Sequence, residues 1–202
     1  MLSVAVLERV QWVRLTSTLI TVYVMPVLLI LAGVIPFQWR FHLLMLMCAT
    51  VAVLAFVRGY SFSSPDSTGP RLSTILAWSI APAVFLIAGL WLSNLPHRLV
   101  SVEHLPFYLF FVLVSAPAQE FLYRSFLFAE LMRHGLPSGL LIIVSALLFA
   151  WMHVIYKDPL TLAFTFVAGL IFGAVFLKTR SFCAVALSHA ALGVVAIYLG
   201  VV

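Results

Sequence analysis

The sequence predicts an all-α protein, a polytopic bundle of about seven transmembrane helices, and three observations lead to this fold class. The first is composition: 64% of the 202 residues are hydrophobic and only 8% are charged, which is too little polar surface to cover a water-soluble globule. The second is that several apolar segments reach the length of about 20 residues that crosses a bilayer. The third is that these segments lack the two-residue alternation of a membrane β-barrel.

Seven apolar segments have a length suitable for a transmembrane helix, which rises about 1.5 Å per residue. The first follows charged residues and has no small-residue cleavage site, so we expect a retained span and not a signal peptide. We expect all seven to form a single membrane domain over residues 1–202. The predicted spans are 15–35, 41–57, 72–92, 105–132, 136–154, 159–177 and 182–202.

Two spans carry local features that predict their structure. Pro117 lies inside the fourth span, where a proline disrupts regular helical hydrogen bonding. That span is therefore either one long kinked helix or a short re-entrant piece followed by a second helix. In the sixth span, Gly169 and Gly173 have the GxxxG spacing that lets two helices approach closely.

The basic residues predict the orientation of the bundle. When the spans alternate in direction, the N-terminal side has more lysine and arginine, which favours a cytoplasmic N-terminus in the plasma (inner) membrane. These cations stand singly at the ends of spans, so the net charge of +5 indicates membrane anchoring, and we expect no nucleic acid partner. The N-terminal side has Arg9, Arg14, Arg58, Arg71, Arg133, Lys178 and Arg180, and the other side has Arg40, Arg98 and Lys157.

A few ionisable residues lie within the spans, where each costs on the order of 2.5–3.5 kcal/mol, so we expect them to face a polar cavity and to have a function. Glu120 and Arg124 are four residues apart and share a helix face, where they can pair. His153 and His189 lie on two other spans. If the bundle brings these groups together, they can hydrolyse a bond with an activated water, or alternatively hold a catalytic Zn²⁺.

These residues resemble the motifs of the CAAX protease and bacteriocin-processing family of intramembrane endopeptidases, which includes the type II CAAX prenyl proteases. The family pattern is Glu-Glu-x-x-x-Arg, Phe-x-x-x-His and His-x-x-x-Asn or Asp on successive helices. Glu120 and Arg124 match the second Glu and the Arg of the first motif, Phe149 and His153 match the second motif, and His189 matches the third.

The resemblance covers residues 105–202 and implies an endopeptidase. The implied substrate is a protein or peptide that is cleaved near its C-terminus or in a membrane-proximal segment. Such a substrate is either lipidated or bears a C-terminal sorting signal, and the lipid bilayer itself is the other partner.

Two positions depart from the family pattern: Gln119 replaces the first Glu, and Gly193 replaces the Asn or Asp. A glutamine cannot accept a proton from water at neutral pH. Either Glu120 serves as the base, or the chain is a catalytically impaired relative, or position 119 carries an introduced substitution. We expect Glu120 to activate water, His153 to orient it, His189 to stabilise the oxyanion and Arg124 to order the carboxylate, with Gln119, Phe149 and Gly193 in supporting positions.

Other interpretations remain open. We expect a metal-free mechanism without a cofactor, because no further carboxylate is available to orient the imidazoles, and zinc is the alternative. A small transporter or a noncatalytic membrane chaperone can use the same buried groups to relay protons or to bind a partner segment. In purely structural terms, Glu120 and Arg124 form a buried ion pair that fixes the helix register.

Overall fold

The computed structural model describes residues 4–60, 73, 77 and 104–200. This part of the chain forms helices and contains no strand, which confirms the all-α prediction. The helices are numbered here in chain order. They are α1 (Val4–Thr18), α2 (Met25–Leu31), α3 (Arg40–Val57), α4 (Leu105–Phe110), α5 (Ala116–Glu120), α6 (Leu127–Arg133), α7 (Ser138–Met152), α8 (Pro159–Thr179) and α9 (Phe182–Tyr198).

Several of these helices are consecutive parts of a longer one. A π-helical stretch, Leu19–Val24, joins α1 to α2, and two further stretches, Phe111–Ser115 and Phe121–Phe126, join α4, α5 and α6. Five continuous helices are therefore long and apolar enough to cross a membrane, and α9 is a shorter apolar helix of 17 residues. The five are Arg9–Leu31, Phe37–Val57, Leu105–Arg133, Ser138–Tyr156 and Pro159–Thr179.

The chain is thus a multi-pass membrane protein, and six of the seven predicted spans correspond to helices. The third predicted span, 72–92, lies outside the described residues apart from positions 73 and 77, so the number seven stays a prediction. The first span begins at Arg9, earlier than the predicted start at Leu15. The helix continues beyond its apolar core because long cationic side chains such as that of Arg14 can reach the polar interface.

The fourth predicted span is one continuous helix from Leu105 to Arg133, and not a re-entrant piece. Pro117 has no N–H to donate, and its ring would clash with a carbonyl of the preceding turn in a regular α-helix. The π-helical stretch Phe111–Ser115 ends just before the proline. Its wider turn accommodates the ring without ending the helix.

Two glycines bring α8 close to α7. A Cβ atom added at Gly169 would lie 2.8 Å from the Cα atom of Ala146, and one added at Gly173 would lie 3.3 Å from Ile142. The close approach predicted from the GxxxG spacing is confirmed. It also brings the backbone carbonyl of Gly169 within reach of the fourth span, which matters for the site below.

A short connection joins the end of the fifth span to α8. Lys157 has a left-handed φ of 55°, which is uncommon outside glycine. Asp158 then caps α8: its carboxylate accepts hydrogen bonds from the backbone N–H of Thr161 at 2.7 Å and from the hydroxyl of Thr161 at 2.6 Å. The hydrogen bond from the Thr161 hydroxyl contributes most to lowering the pKa of the Asp158 carboxyl below its ordinary value. The bond from the Thr161 backbone N–H lowers it further.

The cap at Asp158 predicts a pH-dependent contribution to stability. A carboxyl whose pKa is lowered by folding stabilises the folded state above its ordinary pKa of about 4, and this stabilisation is lost as the pH falls through the lowered value. We expect Asp158→Ala to lower the melting temperature in detergent at neutral pH, with the difference from wild type shrinking as the solution is acidified. A difference that is constant with pH would show that the charge of the cap plays no part.

Candidate active site

The carboxylate of Glu120 lies at the centre of a hydrogen-bonded cluster inside the bundle. Its Oε1 atom accepts a hydrogen bond from Nη1 of Arg124 at 3.1 Å and another from Nδ1 of His189 at 2.7 Å. Glu120 and Arg124 are 0% exposed, and His189 is 5% exposed. The predicted pair on the fourth span therefore forms, and α9 supplies a third member.

The guanidinium of Arg124 connects this cluster to α8. Its Nη2 atom donates to the backbone carbonyl of Gly169 at 3.1 Å. Its central carbon lies 4.7 Å from the ring centroid of Phe149 and 5.4 Å from that of Phe172, which are cation–π distances. The buried cation is thus compensated by a carboxylate, a carbonyl and two aromatic faces.

Both imidazoles use Nδ1 as a donor. Nδ1 of His153 lies 2.8 Å from the backbone oxygen of Phe149, and Nδ1 of His189 faces the carboxylate of Glu120. A carbonyl or carboxylate oxygen only accepts, so the proton of each neutral ring resides on Nδ1 and Nε2 is an acceptor. Each ring therefore has a nitrogen that can take a proton from water.

A cavity of about 230 Å³ lies among α3, the fourth span, α7, α8 and α9. Its lining is mostly apolar. Neither Glu120 nor Arg124 lines it. Five of the residues that the sequence predicts for the site line the cavity: Gln119, Phe149, His153, His189 and Gly193.

The neighbours Gln119 and Glu120 face different surroundings, as the 100° step of a helix requires. Gln119 lines the cavity and donates from Nε2 to the hydroxyl of Ser115 at 2.9 Å. Its Oε1 atom has no hydrogen-bond partner among the described residues, and the same holds for Oε2 of Glu120. Glu120 reaches the cavity through His189, and its assignment as the group that contacts water stays a prediction.

The ring of Phe111 fills the space beside Gly193. A Cβ atom added at Gly193 would lie 2.2 Å from Cζ of Phe111. The same ring packs edge-on against the imidazole of His189, with centroids 5.7 Å apart. An Asn or Asp at position 193 therefore requires Phe111 to move, so the departure from the family pattern is coupled to the packing of the cavity.

Among the cavity residues that sequence reasoning missed, four bear on the chemistry and shape of the site. Ser115 lies one helical turn before Gln119, and that spacing is the signal that could have found it. Arg40 and Tyr156 lie at the ends of spans, where polar and aromatic residues usually serve as interfacial anchors. Phe111 is one phenylalanine among many, and nothing in the sequence pairs it with Gly193.

Metal ligation has little support in the described part of the chain. Among these residues, no group of three or more His, Cys, Asp or Glu side chains could hold one metal ion. Glu120 and His189 hydrogen-bond directly to each other, and His153 contributes only one further nitrogen. The metal-free mechanism and the zinc alternative both stay predictions, and no step below is assigned to a metal.

Part of the chain matches a known protein family. Residues 101–195 match the sequence model of a family described as type II CAAX prenyl endopeptidase, Rce1-like. The resemblance to the CAAX proteases is confirmed. The matched CAAX-protease region contains the polar cluster, both cavity histidines and the Gly193 position. No curated protein and no solved structure matches the chain.

The family match defines the general setting of the cavity. CAAX-type enzymes are membrane-embedded proteases, so this region is associated with a bilayer and with a peptide substrate. Most residues that line the mostly apolar cavity lie within the matched residues 101–195, and His153 and His189 are among them. It is therefore the candidate active site.

Proposed function

We propose that this protein is an intramembrane endopeptidase that hydrolyses a peptide bond near the C-terminus or in a membrane-proximal segment of a protein substrate. We further propose that Glu120 acts through His189 and does not itself contact the water, in place of the direct role that the sequence predicts for it. One observation carries this proposal: the carboxylate binds Nδ1 of His189 at 2.7 Å while the imidazole lines the cavity. A carboxylate in this position fixes the tautomer and stabilises the imidazolium that forms.

In this mechanism, Nε2 of His189 takes a proton from a water molecule in the cavity. The water oxygen bonds to the carbonyl carbon of the substrate, and the carbonyl becomes an oxyanion. The carbon–nitrogen bond then breaks, and the imidazolium returns the proton to the leaving amine. His153 can hold the water through its Nε2 atom, and the second N–H of the Gln119 amide can donate to the oxyanion.

Arg124 is a positioning residue in this proposal. It neutralises the buried carboxylate, and its bond to the Gly169 carbonyl ties the cluster to α8. A buried carboxylate without this cation would be costly. Arg124 therefore stabilises the buried carboxylate of Glu120 and keeps it directed at His189.

The substrate is lipidated or bears a C-terminal sorting signal, and the protein lies in the plasma (inner) membrane with its N-terminus in the cytoplasm. The mostly apolar lining of the cavity suits a hydrophobic segment. The orientation is supported by a basic cluster at the N-terminal end of the bundle, where Arg14, Arg58 and Arg133 line one surface depression.

Binding without cleavage is a second candidate function. The observation in its favour is Gln119, which lines the cavity at the position where the family has its first Glu. An amide there can hydrogen-bond to a peptide but cannot take a proton from water. A protein of this kind would retain a peptide segment within the bilayer.

The test uses full-length protein in lipid vesicles and a quenched fluorescent peptide that ends in an S-farnesylated Cys followed by three residues, with the same peptide lacking farnesyl as a second probe. We expect wild type to cleave at least one probe. His189→Ala should lower the cleavage rate by about 10²–10⁴-fold, the usual contribution of a general base. Glu120→Gln should lower it strongly as well, because a glutamine no longer fixes the imidazole tautomer.

His134→Ala is the matched control, because His134 lines the depression at the N-terminal end of the bundle and not the cavity. It should cleave like wild type. Cleavage by His189→Ala at the wild-type rate would contradict the assigned role of this histidine. Saturable peptide binding by wild type without any product would establish the second candidate.

A further inference from the structure

The end of the cavity opposite the N-terminus is called its mouth here, because the lining residues Phe107 and Tyr156 are exposed there. The first span leads away from the N-terminal side, so Phe37–Val57 begins on the far side, where Leu105–Arg133 also begins and Ser138–Tyr156 ends. The lining residues nearest these ends are Arg40, Phe107 and Tyr156. Gln119 lies deeper, about 20 Å along the helix from Leu105 at about 1.5 Å per residue.

Arg40 places a positive charge at this mouth. Its guanidinium carbon lies 4.2 Å from the ring centroid of Phe37 and 4.5 Å from that of Phe41. Its Nη1 atom makes one long hydrogen bond of 3.3 Å to the Phe37 carbonyl. The two aromatic rings hold the guanidinium in a defined position at the edge of an apolar space.

Within the described residues, Arg40 is not paired with a carboxylate. The ion pairs of this part of the chain join Arg58 to Glu130, and Glu120 to both Arg124 and His189, so none includes Arg40. Its Nε atom is buried and has no hydrogen-bond partner among these residues. Unpaired buried donors cost free energy, and a bound anion would satisfy them.

The anion that best fits this position is a carboxylate. A guanidinium presents its N–H groups as a planar fork that matches the two oxygens of a carboxylate. Arg40 also lines, together with Gln119 and His153, a small adjoining space of about 50 Å³. A group bound at Arg40 is therefore close to the polar end of the candidate active site.

From this arrangement we infer that Arg40 binds the C-terminal carboxylate of the peptide that occupies the cavity. The inference rests on the proposed function and adds the feature of the substrate that is recognised. With its carboxylate at Arg40, the peptide runs inward toward His153 and His189. Since Arg40, Gln119 and His153 line one small space, only a short C-terminal segment separates the carboxylate from the bond that is cleaved.

The test compares two forms of the farnesylated peptide, one with a free C-terminal carboxylate and one with a C-terminal amide, both without Asp or Glu. Binding to the full-length protein in vesicles is measured by fluorescence anisotropy. We expect wild type to bind the acid about 10-fold or more tightly than the amide, as for charge-assisted bidentate recognition. Arg40→Gln should abolish this preference, and Arg40→Lys should restore part of it.

Lys157→Gln is the matched control, because Lys157 is a cation on the same side of the bundle that does not line the cavity. It should keep the preference of wild type. Equal binding of acid and amide by wild type would overturn the inference and leave the proposed function intact. Absence of binding for both forms would contradict the inference and the proposed function together.

Discussion

Arg124→Met is expected to destabilise the folded protein by about 3–5 kcal/mol, because it leaves the carboxylate of Glu120 buried without its cation. Glu120 is 0% exposed, and His189 would be its remaining hydrogen-bond donor. The variant also loses the bond to the Gly169 carbonyl. The free energy of unfolding can be measured in mixed detergent micelles by titration with a denaturing detergent.

Two further variants decide whether this loss comes from the charge. The double variant Glu120→Gln with Arg124→Met removes both charges and should recover a substantial part of the lost stability, because no uncompensated carboxylate remains. Arg9→Met removes an arginine at the exposed end of the first span and should have a small effect. A double variant no more stable than Arg124→Met would show that packing, and not charge, explains the loss.

Gln119→Glu is expected to raise the rate of peptide cleavage at neutral pH by about 10²–10⁴-fold, the range that a positioned general base supplies. The side chain of Gln119 lines the cavity with His153 and His189, so a carboxylate there would be in contact with water bound by the imidazoles. The measurement is the cleavage of the farnesylated peptide in vesicles under single-turnover conditions.

Gln119→Met is the control for this gain, because it keeps the length of the side chain but offers no base and no amide. It should cleave no faster than wild type. If Gln119→Glu folds with the melting behaviour of wild type and cleaves no faster, water activation from position 119 is excluded. Peptide hydrolysis would then depend on His189 as the base, or the cavity would bind peptide without cleaving it.

Much of the fold was predictable because a bilayer imposes simple requirements on a sequence. Apolar length predicted the positions of six helices, with boundaries that differ by up to six residues. The four-residue spacing predicted the contact between Glu120 and Arg124. The small residues Gly169 and Gly173 predicted the close approach of two helices. Each of these features is local to one helix or follows from its overall polarity.

The orientation of the site was not predictable, because it depends on contacts between distant spans. Sequence alone does not tell which of the adjacent Gln119 and Glu120 faces a cavity that other helices form. The same limit applies to Phe111, whose ring fills the space that a side chain at position 193 would need. Arg40 has the pattern of an interfacial anchor, and only the packing shows that it lines the cavity.

The pairing of Glu120 with Arg124 has a consequence for biosynthesis. Each charge alone would raise the cost of transferring the fourth span from the translocon into lipid by about 2.5–3.5 kcal/mol. Because the two residues are one helical turn apart on the same segment, they can neutralise each other before the helices that follow in the chain have been inserted. The span can therefore enter the membrane with its ion pair already formed, and His189 completes the cluster when α9 is inserted.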